Sequence, residues 1–253
     1  QGNKKLSKRD GAKDILAYRE EGYLPDAMLN FLASLGWNDG TEQEVFTRDE
    51  LIEKFSLKRV QKSGARFDEK RLLWLNGAHI RNIPVDKLYE YVSPWNDNPQ
   101  KDGGQTGFWP KSAYAPNITK EYRMKVLALA QDRLKMFEDL RGFGYFFAEP
   151  EINLELIDGN KQLKKLSDSE RRELLETARA EFAKLADWTP ESIQNCLNEL
   201  LETTSQKPGI LFSLIRIAVT WAPFSPQLND TLALIGCECT LARLQSYLES
   251  KEQ

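Results

Sequence analysis

The segment from residue 167 to residue 185 reads SDSERRELLETARAEFAKL and predicts an amphipathic helix. Ser167 is followed three residues later by Glu170, a pair that caps a helix N-terminus through reciprocal side-chain and backbone hydrogen bonds. The apolar positions that follow recur at helical spacing and are Leu174, Ala178, Phe182 and Leu185. We therefore expect a helix that packs one apolar face into a core.

Similar helix-start signals recur along the chain, whereas strand signals are few. Thr47 with Glu50 predicts a second capping box. Prolines typical of a first helical turn stand at Pro25, Pro190 and Pro226, and the last two follow the cap residues Thr189 and Ser225. The best strand signals, at 45–46 and 152–154, are too short to anchor a sheet. The sequence predicts a mainly α fold.

The strongest interruption of this pattern lies between Ser93 and Pro110, where six residues are proline or glycine. Such a density of helix and strand breakers predicts a linker. We expect a small α-rich domain over 1–92, a linker over 93–117 and an all-α domain over 118–253. A softer break at Glu149-Pro150 divides the last domain into two predicted helical subdomains, 118–150 and 151–253.

Composition excludes several kinds of site and of protein. The single histidine, His79, excludes any mechanism that needs two histidines from this chain. Three cysteines without a pairing framework indicate a reducing, cytoplasmic environment. No stretch approaches the roughly 20 apolar residues of a membrane span, so we expect a protein without membrane contacts. The net charge of −3 gives no hint of nucleic acid, but residues 151–204 alone carry 7 basic and 12 acidic side chains.

The segment Lys5-Leu6-Ser7-Lys8-Arg9 carries the most specific motif of the chain. Two lysines three residues apart with a hydroxyl between them can surround a triphosphate, although a solvated basic segment is the simpler interpretation. The segment resembles the Lys-Met-Ser-Lys-Ser signature loop of class I aminoacyl-tRNA synthetases. The residues at 18–37, 67–81 and 234–244 also resemble the bacterial and organellar glutamyl-tRNA synthetase family, so the resemblance covers essentially the whole chain.

The resemblance implies a C-terminal portion of such an enzyme, made of the signature loop, a stem-contact domain and an anticodon-binding domain. Lys8 would neutralise ATP phosphates during glutamate activation, and Lys5 and Ser7 would shape the loop. We expect ATP and magnesium to serve the full-length enzyme and no cofactor or metal to bind this portion. Glutamate and ATP would bind the missing catalytic domain, and tRNA(Glu) is the expected partner. Alone, this portion should bind tRNA as a cytoplasmic monomer without aminoacylating it.

The resemblance also implies which residues contact the anticodon. Arg216 lies alone in the apolar run Ile210–Val219, where a charge needs a partner or a route to the surface. The matching arginine of the family contacts the anticodon, and Ser225, Pro226 and Leu228 match residues that pack against its bases. Arg133 matches the arginine that reads the third anticodon base, with a surface arginine beside Phe137 or Glu138 as the simpler interpretation.

Two departures from the family and two alternative functions remain. Trp221 stands where the family has glycine, and Cys237 and Cys239 have neither zinc spacing nor a nearby histidine, which predicts buried thiols. One alternative is a helical protein-interaction module with an exposed apolar stripe in place of a basic groove. The other is a different class I synthetase, such as the glutaminyl enzyme, whose family reads anticodons with β-barrels.

Overall fold

The computed structural model describes residues 13–61, 66–94, 97–99 and 106–250. The signature-loop residues Lys5, Ser7 and Lys8 lie outside these ranges. The α-helices, in chain order from α1 to α12, are Ile15–Glu21, Pro25–Ser34, Arg48–Lys54, Glu69–Asn82, Val85–Val92, Lys120–Ala130, Glu155–Asp158, Asp168–Phe182, Pro190–Thr204, Pro208–Thr220, Leu228–Ile235 and Cys237–Glu249. The 3₁₀ segments are Leu57–Arg59, Lys111–Tyr114, Gln131–Arg133, Phe137–Phe146 and Leu163–Lys165.

The predicted mainly α fold is confirmed, and no strand occurs in the described ranges. Both capping boxes form, at Thr47 before α3 and at Ser167 before α8. Pro25 and Pro190 occupy the first turns of α2 and α9, as predicted. The two weak strand signals are irregular segments, because neither finds a neighbouring strand with which to pair.

The chain forms two compact units, each made of two segments. Unit 1 contains residues 1–114 and 131–141, and unit 2 contains residues 115–130 and 142–253. The chain first passes from unit 1 to unit 2 between residues 114 and 115, which lie inside the predicted linker. Residues 131–141 belong to unit 1, although the sequence pattern had grouped them with the C-terminal helices.

In unit 1 a tight glycine contact positions the chain after α1. Gly22 ends α1 in the left-handed region, at φ 89°. A Cβ added there would lie 2.5 Å from the Cβ of Phe137, so only glycine allows this close approach. Asn76 of α4 reinforces it by accepting a hydrogen bond from the backbone of Leu24 and donating one to the carbonyl of Lys135.

In unit 2 a buried arginine supports the end of α10. Helices α8, α9, α10 and α12 enclose the apolar core, and the side chain of Arg243, on α12, is only 4% exposed. Its guanidinium donates to the carbonyls of Val219, Tyr145 and Ala148 and pairs with the carboxylate of Glu149 at 3.0 Å. Because backbone carbonyls at helix ends lack partners, one side chain here satisfies several of them.

Candidate nucleic-acid interface

Arg133 lies on the 3₁₀ segment Gln131–Arg133, which buried neighbours fix in place. The side-chain amide of Gln131 donates to the carbonyls of Ile80 and Ile83 at the end of α4, at 2.8 and 2.7 Å. Leu134, the next residue, is fully buried. The local backbone of Arg133 is therefore held rigidly although the segment is only three residues long.

The side chain of Arg133 itself is exposed and makes no hydrogen bond or ion pair with the part of the chain that the structure describes. The simpler interpretation from sequence, a pair with Phe137 or Glu138, does not occur. Glu138 pairs with Arg141 at 3.0 Å, and Phe137 packs against Tyr91 and Phe108. The guanidinium keeps all its donors available to a ligand.

Arg216 and Ser225, predicted to belong to one site, are in direct contact. Arg216 lies near the end of α10 and donates from Nε to Oγ of Ser225, over 2.9 Å. Ser225 is 3% exposed and donates in turn to the carbonyl of Pro226, over 2.8 Å. Arg216 is half-buried, so the guanidinium is held by a hydrogen-bonded loop at the edge of the core.

The prediction that Ser225 and Pro226 begin a helix is wrong. Helix α11 begins at Leu228, with Gln227 as its cap residue, and no side chain caps it. The physical reason is that the Ser225 hydroxyl is already engaged by Arg216 and the Pro226 carbonyl. Pro226 is buried and Leu228 is part of the apolar core, so their side chains anchor the segment 225–228 to unit 2.

Trp221 ends α10 and packs inward. Its φ of 46° lies in the left-handed region, where the family's glycine would be unstrained. Its ring stacks on that of Tyr247, with centroids 5.7 Å apart and an angle of 16° between the planes. This packing places the ring of Trp221 against the apolar core of unit 2.

A buried tyrosine contributes to the electrostatic environment of Arg216. Burial raises the pKa of the Tyr145 hydroxyl, and the positive charge of Arg216 opposes that rise. Tyr145 therefore stays neutral. The neighbouring aromatic residues Phe143, Phe146 and Phe147 are also buried, so none of them offers a free ring face to RNA.

The remaining candidate groups are structural. His79 has the environment of a structural residue, because it is 9% exposed and its Nε2 lies 3.0 Å from Oδ1 of Asn30. Cys196 is buried, whereas Cys237 and Cys239 are only half-buried, so the prediction of buried thiols is too strong for this pair. The described ranges contain no cluster of three metal-ligating side chains and no helix that could cross a membrane.

Sequence reasoning missed one exposed aromatic residue beside this site. Phe224, immediately before Ser225, is 60% exposed. Prolines stand on both sides of it, at positions 223 and 226, but no local pattern distinguishes an outward ring from an inward one. Arg133 belongs to unit 1, whereas Arg216, Phe224 and Ser225 belong to unit 2.

The comparison with protein families decides the class of this interface. The family model described as "Anticodon binding domain" matches residues 87–248. The chain belongs to this anticodon-binding domain family. The anticodon-binding match includes Arg133, Arg216 and the segment 225–228. A second model, described as "tRNA synthetases class I (E and Q), catalytic domain", matches residues 1–74.

Relatives of this anticodon-binding chain are glutamate–tRNA ligases. It is 35% identical over 246 residues to glutamate–tRNA ligase 1 of Alkalilimnicola ehrlichii, covering 97% of this chain and 48% of the relative. It is 36% identical over 242 residues to the corresponding protein of Acidithiobacillus ferrooxidans, covering 95% and 48%. The chain spans about half the length of the curated relatives it matches, and it is homologous to their C-terminal half.

A solved structure shows the same fold. The glutamate tRNA ligase from Elizabethkingia meningosepticum, crystallised with its amino acid, matches with a TM-score of 0.72 and 26% identity. The match covers 99% of this chain and 49% of that chain. The described part of the chain thus shares its helical architecture with a glutamate–tRNA ligase.

Proposed function

We propose that this chain is the tRNA-recognition part of a glutamate–tRNA ligase and binds the anticodon arm of tRNA(Glu). The observation that carries the proposal is Arg133, an exposed and uncommitted guanidinium on a rigidly held segment within the anticodon-binding match. Single-stranded loops of RNA expose base edges, and arginine can donate to them or stack on their faces. In this proposal, residues 1–92 form a stem-contact domain and residues 118–253 form an anticodon-binding domain.

Each predicted contact has a distinct task in this proposal. Arg133 donates to the acceptors of cytosine at the third anticodon position, whereas guanine there would present a different edge. Arg216, fixed by Ser225, contacts a second base. Pro226 and Leu228, being buried, act by holding the segment that presents this surface.

A longer glutamate–tRNA ligase that contains this chain would activate glutamate with ATP and magnesium in its catalytic domain and transfer it to tRNA(Glu) in the cytoplasm. Lys8 would approach the ATP phosphates, and Lys5 and Ser7 would shape that loop. We propose that this chain alone is a monomer that binds tRNA and aminoacylates none.

If the chain were a protein-interaction module, one candidate surface would be an apolar groove that precedes the predicted RNA contacts in the sequence. An apolar groove of about 510 Å³ lies between α2 and α3, and its walls include Leu32, Ile52 and Phe55. These residues precede position 87, where the anticodon-binding match begins. Neither Arg133 nor Arg216 lines this groove. The helical fold likewise disfavours a synthetase that reads anticodons with β-barrels.

The substitution Arg133→Gln tests the proposed reading of the third base. In the full-length enzyme, it should reduce the preference for cytosine over guanine at that position by about 5- to 150-fold, the worth of one good bidentate contact. Arg48→Gln is the matched control, since Arg48 is an exposed arginine outside the anticodon-binding match. Unchanged discrimination by Arg133→Gln would remove this role.

A further inference from the structure

The loop between α10 and α11 presents one aromatic ring to solvent. Among the described residues of unit 2, the exposed large apolar side chains are Ile152 and Phe224, so Phe224 is the exposed aromatic one. It is 60% exposed and makes no ring contact with the described chain. A lone exposed apolar residue needs no explanation by itself, but this one lies on a loop that is held in place.

Hydrogen bonds restrain the loop on both sides of Phe224. On one side, the backbone N–H of Ala222 donates to Oγ1 of Thr220, a residue that is 1% exposed. On the other side, the buried hydroxyl of Ser225 bonds Arg216 and the Pro226 carbonyl. Proline at position 223 further limits the backbone between these two points. Phe224 is therefore presented on a restrained loop rather than on a freely moving one.

The two aromatic residues of the loop, Trp221 and Phe224, differ in orientation. Trp221 turns inward and stacks on Tyr247, so its ring is used by the core. Phe224 remains outside, next to the serine that fixes Arg216. An exposed planar ring can bind unstacked bases without regard to their identity, because every base has a π-face, and Phe224 stands one residue before the serine that holds Arg216.

We propose that Phe224 is a stacking platform for an unpaired base of a single-stranded RNA loop, next to the base contacted by Arg216. The inference rests on the proposed function, because the RNA loop it names is the anticodon loop. It adds a sequence-tolerant contact to the base-specific contacts proposed for Arg133 and Arg216. Stacking supplies affinity, whereas hydrogen bonds to base edges supply specificity.

The test measures binding of the full 253-residue chain to a fluorescent anticodon stem-loop RNA. Phe224→Ala should weaken the affinity about tenfold, within the range for loss of one stacked base. Phe224→Tyr should restore it, and Phe224→Leu should not, because leucine has no π-face. The dependence of affinity on salt should be the same for all variants, since Phe224 neutralises no phosphate. Ile152→Ala is the matched control, as it removes an exposed apolar side chain from the same unit.

The outcomes separate this inference from the proposed function. If the unaltered chain binds and Phe224→Ala binds equally well, or if leucine serves as well as tyrosine, the stacking role is wrong and the proposed function stands. If the unaltered chain binds no anticodon stem-loop, both fail. An unchanged circular dichroism spectrum and melting temperature of Phe224→Ala would show that a loss of affinity does not come from unfolding.

Discussion

Arg216 donates a 2.9 Å hydrogen bond from Nε to Oγ of Ser225, and this bond ties the end of α10 to the segment that leads into α11. The serine hydroxyl donates a hydrogen bond in turn to the carbonyl of Pro226. The bond therefore fixes the orientation of the guanidinium and the path of the loop together. In a recognition surface, such fixed donors lose less conformational entropy on binding.

Removing the Ser225 hydroxyl should weaken both the fold and RNA binding. A hydrogen bond to a charged group is worth about 1.5–3 kcal/mol, so Ser225→Ala should lower the free energy of unfolding by about that amount. RNA affinity should fall because the guanidinium loses its fixed orientation. Ser213→Ala is the control, because Ser213 lies on α10, the helix of Arg216, and makes no side-chain hydrogen bond with the described residues. Equal effects of both variants would show that the bond is unimportant.

Arg243 should be among the most sensitive positions for stability. Arg243→Met leaves the carbonyls of Val219, Tyr145 and Ala148 without their donor. Each buried group left unsatisfied costs about 1–3 kcal/mol, so urea unfolding should show a loss of about 3 kcal/mol or more. Glu149→Gln is the control: this partner is 64% exposed, and exposed ion pairs contribute at most about 1 kcal/mol. A loss below 1 kcal/mol for Arg243→Met would contradict the carbonyl account.

Two glycines with similar backbone angles should respond very differently to alanine. Gly22 has φ 89° and Gly40 has φ 85°, so both substitutions meet the cost of a left-handed residue, about 1 kcal/mol. Only at Gly22 would the new Cβ collide with Phe137, whereas nothing lies within 4 Å at Gly40. Thermal unfolding should therefore show Gly22→Ala to be several kcal/mol worse than Gly40→Ala. Similar melting temperatures would exclude the close approach.

Because His79 is the single histidine of the chain, the change in the free energy of unfolding between pH 7 and pH 5.5 tests the titration of this group. Burial lowers the pKa of His79 below its ordinary value of 6.5. The unfolded chain then binds a proton more readily than the folded one as pH falls, so stability must fall with it. The loss cannot exceed about 1.4 kcal/mol at pH 5.5, because one pKa unit corresponds to that energy.

Chemical denaturation at the two pH values measures this loss. The variant His79→Gln lacks the titrating group and serves as the control, so its stability should change less over the same interval. Equal losses in both proteins would mean that His79 is not the source. The sign follows from the lowered pKa, since a raised one would make acid stabilising.

Local sequence signals predicted the helices well where the caps act within one turn. The boxes at Thr47 and Ser167 form between residues three positions apart, so the signal for each is contained in the local sequence. The pair Ser225-Pro226 carries a similar signal and failed, because Arg216 takes the hydroxyl that would have capped the helix. Sequence spacing contains no information on that contact between α10 and the loop.

The predicted site shows the same division between local and tertiary information. The resemblance placed Arg216 and Ser225 together, and the structure joins them by a hydrogen bond. Sequence spacing did not predict that Glu138 pairs with Arg141 and leaves Arg133 exposed. It also did not predict that Trp221 packs inward while Phe224 is exposed. The roles of these residues in RNA binding stay predictions.

The most direct measurement compares binding of this chain to tRNA(Glu) and to an unrelated tRNA over a range of salt concentrations. Phosphate neutralisation contributes strongly to such affinity, so the logarithm of the binding constant should fall linearly with the logarithm of salt concentration. We expect tighter binding of tRNA(Glu), with nuclease protection at the anticodon arm. Equal affinity for both tRNAs, or protection confined to other parts of the tRNA, would contradict it.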